Sequence, residues 1–139
     1  MAGTKLNLDI DFEGLVIVFT CAEADFRTAW AVNKVLKTAL AQKEEIALSG
    51  RIAGKEILYS RFEYVDEVGQ KTWRMLSNRS EFGFLVPEYK KFDYLLLGLG
   101  EFYEGQAEYV LEMLRSVRFI TSAFSVPYQT IKAKELLLM

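Results

Sequence analysis

The chain has 139 residues, 51% of them hydrophobic and 26% charged, with a formal net charge of −2 and no histidine. These values are typical of one globular domain spanning residues 1–139 and exclude a disordered chain. The absence of histidine excludes Ser-His-Asp and Cys-His catalysis and the common zinc sites, so we expect a non-enzymatic protein without cofactors. A pI near 5.3 argues against a dedicated nucleic-acid binder.

The single cysteine, Cys21, cannot form an intrachain disulfide and favours a reducing, cytoplasmic setting. The first residues lack the basic flank and apolar core of a signal peptide, so no targeting segment is expected. The longest apolar run, residues 15–22, is far shorter than the ~20 residues of a membrane helix, so no membrane span is expected.

Two strands are predicted first. Leu6, Leu8 and Ile10 alternate with polar residues, which predicts a strand with one solvated face. Residues 15–21, LVIVFTC, form a continuous apolar run that is typical of a strand covered on both faces.

A helix is predicted next, from Asp25 as N-cap through residue 40. The basic residues Arg27, Lys34 and Lys37 are expected on one side of it, away from the core. The residues that recur at three- and four-residue spacing form an apolar stripe expected to face the core: Phe26, Ala29, Trp30, Asn33, Leu36 and Leu40.

The middle of the chain predicts a β-hairpin. Residues 42–56 give no clear element, because short apolar pieces are broken by glycines. Residues 57–65 and 71–76 read as two strands, joined by a loop in which Gly69 is expected to adopt a positive φ. A short strand is expected near residues 83–86.

The last third predicts a strand, a helix and another strand. Residues 93–100 indicate a buried strand in which glycines mark close backbone approach or the strand's exit. A helix at 104–117, a strand at 119–126 and a helical turn or tail at 128–139 follow. The order predicts an α+β domain: a single mixed, mainly antiparallel sheet of about six strands with two helices packed on one face.

Two motifs resemble chemical sites, but in each case a simpler explanation is preferred. Asp9 and Asp11 share one side of a predicted strand, which suits acid–base or magnesium chemistry, but alternating acids on a solvated face explain them more simply. Residues 50–55, GRIAGK, resemble a phosphate-binding loop. The spacing of the glycines and Glu56 after the lysine both depart from that motif, so we reject it.

Polar residues in two segments are weak candidates for ligand binding. An asparagine in the apolar stripe of the first helix needs partners if buried: either a ligand, gripped with nearby basic residues, or a backbone group of an adjacent loop. The segment SNRS is ambiguous in the same way, since such residues also stabilise turns. The candidates are Arg27, Asn33, Lys34, Ser77, Asn78 and Arg79.

Residues 86–94, VPEYKKFDY, resemble the signature of the IPExxxVDY family of bacterial proteins. Pro87, Glu88, Asp93 and Tyr94 match at the family's spacing, and the two departures exchange one apolar residue for another. Similar segments recur in order at residues 26–34, 76–80 and 121–124. The resemblance implies a small cytoplasmic bacterial protein without an assigned activity.

The signature also has a structural interpretation. Pro87 forces an extended residue before it and starts a helical turn, whose exposed N–H groups Glu88 would face. Asp93 then accepts bonds from backbone donors left open by the turn, and Tyr94 packs its ring while its hydroxyl reaches a polar rim.

The function expected from these observations is that of a non-enzymatic interaction or regulatory protein that self-associates. The apolar end, residues 135–139, would form a homodimer contact or bind another protein partner. The alternative is a small-ligand or anion-binding module that uses the first helix and the SNRS turn. RNA binding through the basic block at residues 26–62 is a third, weaker possibility.

Overall fold

The structure of the protein, a computed structural model, describes residues 14–49 and 56–132. The described elements are β1 (Gly14–Cys21), α1 (Asp25–Leu36), β2 (Ala41–Ser49), β3 (Glu56–Asp66), β4 (Lys71–Ser77), β5 (Arg79–Ser80), β6 (Gly83–Phe84), β7 (Tyr94–Leu99), α2 (Gln106–Arg115) and β8 (Ile120–Val126). Six strands form one sheet in the order β2-β3-β4-β7-β1-β8, and each neighbouring pair is antiparallel. The predicted α+β class is confirmed.

Strand β1 lies inside the sheet and is buried on both faces, as its apolar run predicts. Ile17 and Phe19 point to one face, and Val16 and Val18 point to the other, with exposed fractions of 0–1%. The sheet therefore needs a cover on each side.

The two helices cover one face of the sheet. Val32 of α1 and Leu114 of α2 are completely buried in the same cluster as Ile17, Phe19 and Met75. The predicted placement of both helices on one face is confirmed.

The other face is covered, among the described residues, by connecting segments and 3-10 turns and not by an α-helix. Leu85 and Val86, in the connection between β4 and β7, pack there together with Tyr128 and Ile131 near the end of the described chain. The signature segment is thus part of the core on this face.

Helix α1 is shorter than predicted. Ala24 is its N-cap, and Lys37 ends it by adopting a left-handed conformation, with φ 58° and ψ 46°. The Lys37 N–H then bonds the carbonyl of Asn33, so the chain turns toward β2 before residue 40.

The predicted apolar stripe of α1 is wrong for its two aromatic residues, whereas Ala29 is buried as predicted. Phe26 is 70% exposed and Trp30 is 59% exposed. The buried side of α1 consists of Thr28, Ala29, Ala31 and Val32, whose small side chains let the helix lie close to the sheet. The sequence pattern was dominated by the two large aromatic residues, which instead point to solvent.

Strand β2 was not predicted. It is an edge strand whose first five residues are exposed, and its pairing with β3 shifts between Lys43 and Ile46. This bulge interrupts the alternation on which a strand prediction depends. Exposed charges and a bulge also discourage the pairing of this edge with another strand.

The predicted hairpin joins β3 and β4, but its positive φ lies one residue later than expected. Gln70, not Gly69, has the positive φ, of 54°. The Asp66 carboxylate instead accepts a hydrogen bond from the Gly69 N–H at 3.0 Å, which shapes the loop.

The predictions for the last third agree with the structure. Gly98 allows close approach of Phe102, because a Cβ at position 98 would lie 2.6 Å from that ring. The short strand near residue 83 is β6, which pairs with β5 in a separate two-stranded sheet. The predictions for residues 6–11, 50–55 and 133–139 lie outside the described residues.

Candidate functional site

The signature residues lie at one edge of the large sheet, at the ends of its strands and not along an outermost strand. Three strand ends meet there. Strands β1 and β4 are both antiparallel to β7, so their last residues lie beside its first. Tyr94 accordingly pairs with Phe19 on one side and with Ser77 on the other. The chain brings the SNRS segment and the signature to this edge.

Asn78 is an internal link in this region. Its amide nitrogen donates to the carbonyls of Tyr89 and Phe92, both at 3.0 Å. Its side-chain oxygen accepts from the Val86 N–H at 2.6 Å, and the residue is completely buried. Asn78 therefore holds the connection between β4 and β7 in place and has no donor left for a ligand.

Asp93 joins two chain segments through its two carboxylate oxygens. Oδ2 accepts from the Cys21 N–H at 2.8 Å, where β1 ends. Oδ1 pairs with Arg79 at 2.7 Å, with side-chain exposed fractions of 17% for Asp93 and 55% for Arg79. The predicted role of Asp93 as a backbone acceptor is seen, although the donor belongs to β1 and not to the turn.

Tyr94 packs its ring on Phe19, with 5.5 Å between centroids, and donates its hydroxyl hydrogen to the Glu23 carbonyl at 2.7 Å. Burial raises the pKa of Tyr94 to about 12. The phenol is therefore a neutral hydrogen-bond donor at neutral pH, not a base.

Pro87 and Glu88 shape the approach to this edge. Val86 is extended, with φ −121° and ψ 91°, and Pro87 is the first residue of a 3-10 turn. Glu88 does not face the N–H groups of its own turn as predicted. Its carboxylate accepts from the Lys132 N–H at 2.6 Å and so fastens the end of the described chain.

A cleft of about 400 Å³ opens beside these residues. Two ion pairs border it: Arg79 with Asp93, and Arg27 with Glu23 at 3.0 Å. The residues that line the cleft are Cys21, Ala22, Glu23, Ser77, Arg79, Asp93 and Tyr94.

The cleft offers recognition chemistry and little for catalysis. Cys21 is 2% exposed, and its thiol lies 3.2 Å from the Thr28 hydroxyl, which is a neutral group that does not activate a thiol. Within the described ranges, no group of three or more metal-binding side chains is assembled. Arg79, half exposed, is the group best placed to meet an anion.

Asn33 is used inside the chain as well. Its side-chain oxygen accepts from the Leu40 N–H and the Thr38 hydroxyl, both at 2.8 Å, and its nitrogen donates to the Leu40 carbonyl at 3.2 Å. Helix α1 starts where β1 ends and returns to the opposite edge of the sheet. The structure therefore does not bring Asn33 to the edge that carries Asn78.

The six candidate ligand-binding residues separate into three groups. Asn33 and Asn78 are occupied by internal hydrogen bonds, and the Ser77 hydroxyl accepts from the Ser60 N–H at 2.9 Å. Arg79 lines the cleft. Arg27 and Lys34 lie on the outer side of α1.

The outer side of α1 combines aromatic and basic residues, and we call it the aromatic-basic face: Phe26, Arg27, Trp30 and Lys34. These positions fall within an arc of roughly 100° at 3.6 residues per turn. The Lys34 ammonium lies 5.2 Å from the centroid of the Trp30 ring, so the basic residues share the aromatic side, contrary to prediction.

The outer side of α2 carries the opposite charge, and we call it the acidic face: Glu108, Tyr109 and Glu112. All three residues are exposed, Tyr109 by 49%, while the opposite side of α2 is buried. Since both helices cover the same face of the sheet, the two faces lie side by side on the outside of the helix layer.

A second cleft, of about 470 Å³, lies at the other edge of the sheet near Gly14 and Phe102. Among the described residues that line it, Glu104 is the only charged one, and none of them is a predicted site residue. It therefore adds no charge pairing to the sites above.

Sequence reasoning missed the two helix faces. The signal for the first was available: Thr28 and Val32 form a stripe of smaller residues with Ala29 and Leu36 of the predicted stripe, and this stripe turns Phe26 and Trp30 away from the core. The acids of α2 are four residues apart, a spacing that is also typical of an ordinary solvated helix face.

Comparisons of the chain with protein-family models, with curated proteins and with solved structures find no match. Within the described part of the chain, neither helix has the length and apolar character needed to cross a membrane.

Proposed function

We propose that this chain is a non-enzymatic bacterial interaction protein of the cytoplasm that self-associates, related to the IPExxxVDY family. One observation carries the proposal: Phe26 and Trp30 leave 70% and 59% of their surface in solvent on a helix whose opposite side is in the core. Aromatic residues are enriched at the centres of protein interfaces.

The exposed aromatic area is large enough to drive association. An aromatic side chain presents ~200 Å², so these two leave roughly 260 Å² exposed, which at ~25 cal/mol/Å² corresponds to about 6 kcal/mol on complete burial. A two-fold dimer buries the rings of both copies, so the upper limit of this gain is about 12 kcal/mol, and the association cost of ~4–15 kcal/mol offsets much of it.

The internal bonding at the sheet edge supports a non-enzymatic role. The side-chain polar atoms of Asn78 and Asp93 bind backbone groups and Arg79. The burial that raises the pKa of Tyr94 removes it from acid–base work near neutral pH. The signature on this account maintains the fold that presents the helix layer.

The proposal is tested by sedimentation of the wild-type chain and of Trp30→Ser over about 1–500 µM, a range chosen for a weak complex. The wild-type mass should rise toward that of two chains, and Trp30→Ser should weaken the association at least about tenfold. Val65→Ser is the control, because Val65 is 55% exposed but belongs to the sheet face away from the helices. A wild-type chain that stays at 15.9 kDa throughout contradicts the proposal.

A second candidate function is anion binding in the cleft, favoured by the half-exposed guanidinium of Arg79. Inorganic phosphate should then raise the melting temperature of the wild-type chain more than chloride does at equal ionic strength. The increment should disappear in Arg79→Gln. Equal effects of the two salts would remove this candidate.

A further inference from the structure

We infer that the partner of the aromatic-basic face is the acidic face of α2 in a second copy of this chain. The inference rests on the proposed self-association and names the surfaces that carry it. In the dimer, Phe26 and Trp30 of one copy pack beside Tyr109 of the other.

Charge complementarity selects this partner. The aromatic-basic face carries two cations, Arg27 and Lys34, and the acidic face carries two anions, Glu108 and Glu112. Arg115 falls on the same side of α2, but its guanidinium donates to the Ala123 carbonyl at 2.6 Å and contacts the Phe124 ring, so it is held toward β8. None of the ion pairs seen within residues 14–49 and 56–132, among them Arg27–Glu23, Arg74–Glu63 and Arg79–Asp93, joins α1 to α2. The opposite charges of the two helices are therefore left for contacts between copies.

Arg27 is already paired with Glu23, but both side chains are well exposed, at 57% and 37%. Exposed pairs of this kind contribute little and are screened by salt. Lys34 contacts the Trp30 ring and forms no ion pair with any residue that the structure describes, so it is the cation of this face most available to a partner.

The placement of the helices allows a closed dimer. Both helices lie on the same side of the sheet, α1 about 18 Å long and α2 about 15 Å long at 1.5 Å per residue. A two-fold axis along the groove between them places α1 of each copy over α2 of the other, so each contact occurs twice. Such a patch is smaller than the ~800 Å² per partner of a standard interface, which predicts affinity in the micromolar range.

Single-stranded nucleic acid is the other ligand that aromatic and basic residues suit. The acidic face counts against it, because Glu108 and Glu112 lie beside the cations on the same helix layer and would repel a phosphate backbone. The same two acids attract a second copy, so one arrangement explains both helices.

Charge reversal tests the pairing. One variant carries Arg27→Glu and Lys34→Glu, and the other carries Glu108→Lys and Glu112→Lys; each is measured by sedimentation alone and in an equimolar mixture. Each variant alone should associate at least about 30-fold more weakly than wild type, because like charges then face each other. The mixture should return to within about threefold of wild type, because both contacts of the heterodimer again join opposite charges.

The outcomes separate the two proposals. A wild-type chain that is monomeric at every concentration overturns both the self-association and the α1–α2 pairing. If this monomeric chain binds a single-stranded oligonucleotide, the aromatic-basic face is assigned to nucleic acid. A wild-type dimer whose reversed variants still dimerise, or whose mixture is not restored, overturns only the α1–α2 pairing. If circular dichroism shows that a variant is unfolded, the α1–α2 pairing is tested instead by the salt dependence of the wild-type dimer. Its association must weaken as the sodium chloride concentration rises, and an association that does not weaken overturns the pairing.

Discussion

Replacing Asn78 by alanine tests whether the signature segment is a scaffold. The substitution removes three side-chain hydrogen bonds, to Val86, Tyr89 and Phe92, in a completely buried site. Each abandoned backbone partner costs about 1–2 kcal/mol, so we expect a loss of roughly 3–5 kcal/mol in the free energy of unfolding. That is a large part of the ~5–15 kcal/mol of a typical domain.

Urea denaturation followed by circular dichroism measures this loss. With a slope of about 2 kcal/mol/M, the midpoint should fall by roughly 2 M. Asn33→Ala is the matched control: it also removes three side-chain hydrogen bonds, but Asn33 itself is partly exposed, so water can take the place of its amide and a loss of about 1–2 kcal/mol is expected. An Asn78→Ala midpoint equal to that of Asn33→Ala would refute the reasoning.

Three further predictions concern single residues. Because the folded-state pKa of Tyr94, about 12, exceeds its ordinary value of 10.0, the neutral phenol contributes stability that is complete below pH 10 and is lost as the pH rises toward 12. Between those values the wild type should therefore lose about 2 kcal/mol more unfolding free energy than Tyr94→Phe does, and parallel curves would contradict this. Lys37→Gly should raise the free energy of unfolding by about 0.5–1 kcal/mol, because a φ of 58° suits glycine. A lower free energy of unfolding would show that the contacts of the lysine side chain matter more. Gly14→Ala should cost about 3 kcal/mol because its Cβ would overlap the Gly98 carbonyl, whereas Gly105→Ala, at φ 89° with open space, should cost only about 1 kcal/mol in the same thermal melts.

The buried strands could be predicted because their burial is complete. The run at residues 15–21 has apolar side chains on both faces, and no surface position interrupts it. β2 could not be predicted in this way, since an edge strand with a bulge and exposed charges has no regular hydrophobic pattern.

The two aromatic residues of α1 were predicted incorrectly to face the core, for a physical reason. Hydrophobic residues are expected inside, and Phe26 and Trp30 are the largest in the helix. Close packing against the sheet instead selects Ala29 and Val32, whose small size cannot be recognised as an advantage without the sheet.

The hydrogen-bond partners of the polar residues could not be predicted from the sequence, because the fold determines them. Asn78 is a candidate ligand-binding or turn residue on its sequence, but its partners in the structure are backbone groups that lie 8 to 14 positions away along a folded connection. The Asp93 contact with Cys21 spans 72 positions. Which polar groups are internal and which face solvent is therefore decided by tertiary contacts.

The central claim, self-association through the helix layer, is tested most directly by nuclear magnetic resonance on dilution. The chain has two tryptophans, and Trp30 is 59% exposed while Trp73 is 7% exposed. On dilution the indole N–H signal of Trp30 should shift together with the backbone signals of α1 and α2, while the indole signal of Trp73 stays in place. Signals that do not move between about 500 µM and about 10 µM, or that move only around the Arg79 cleft, would contradict the account.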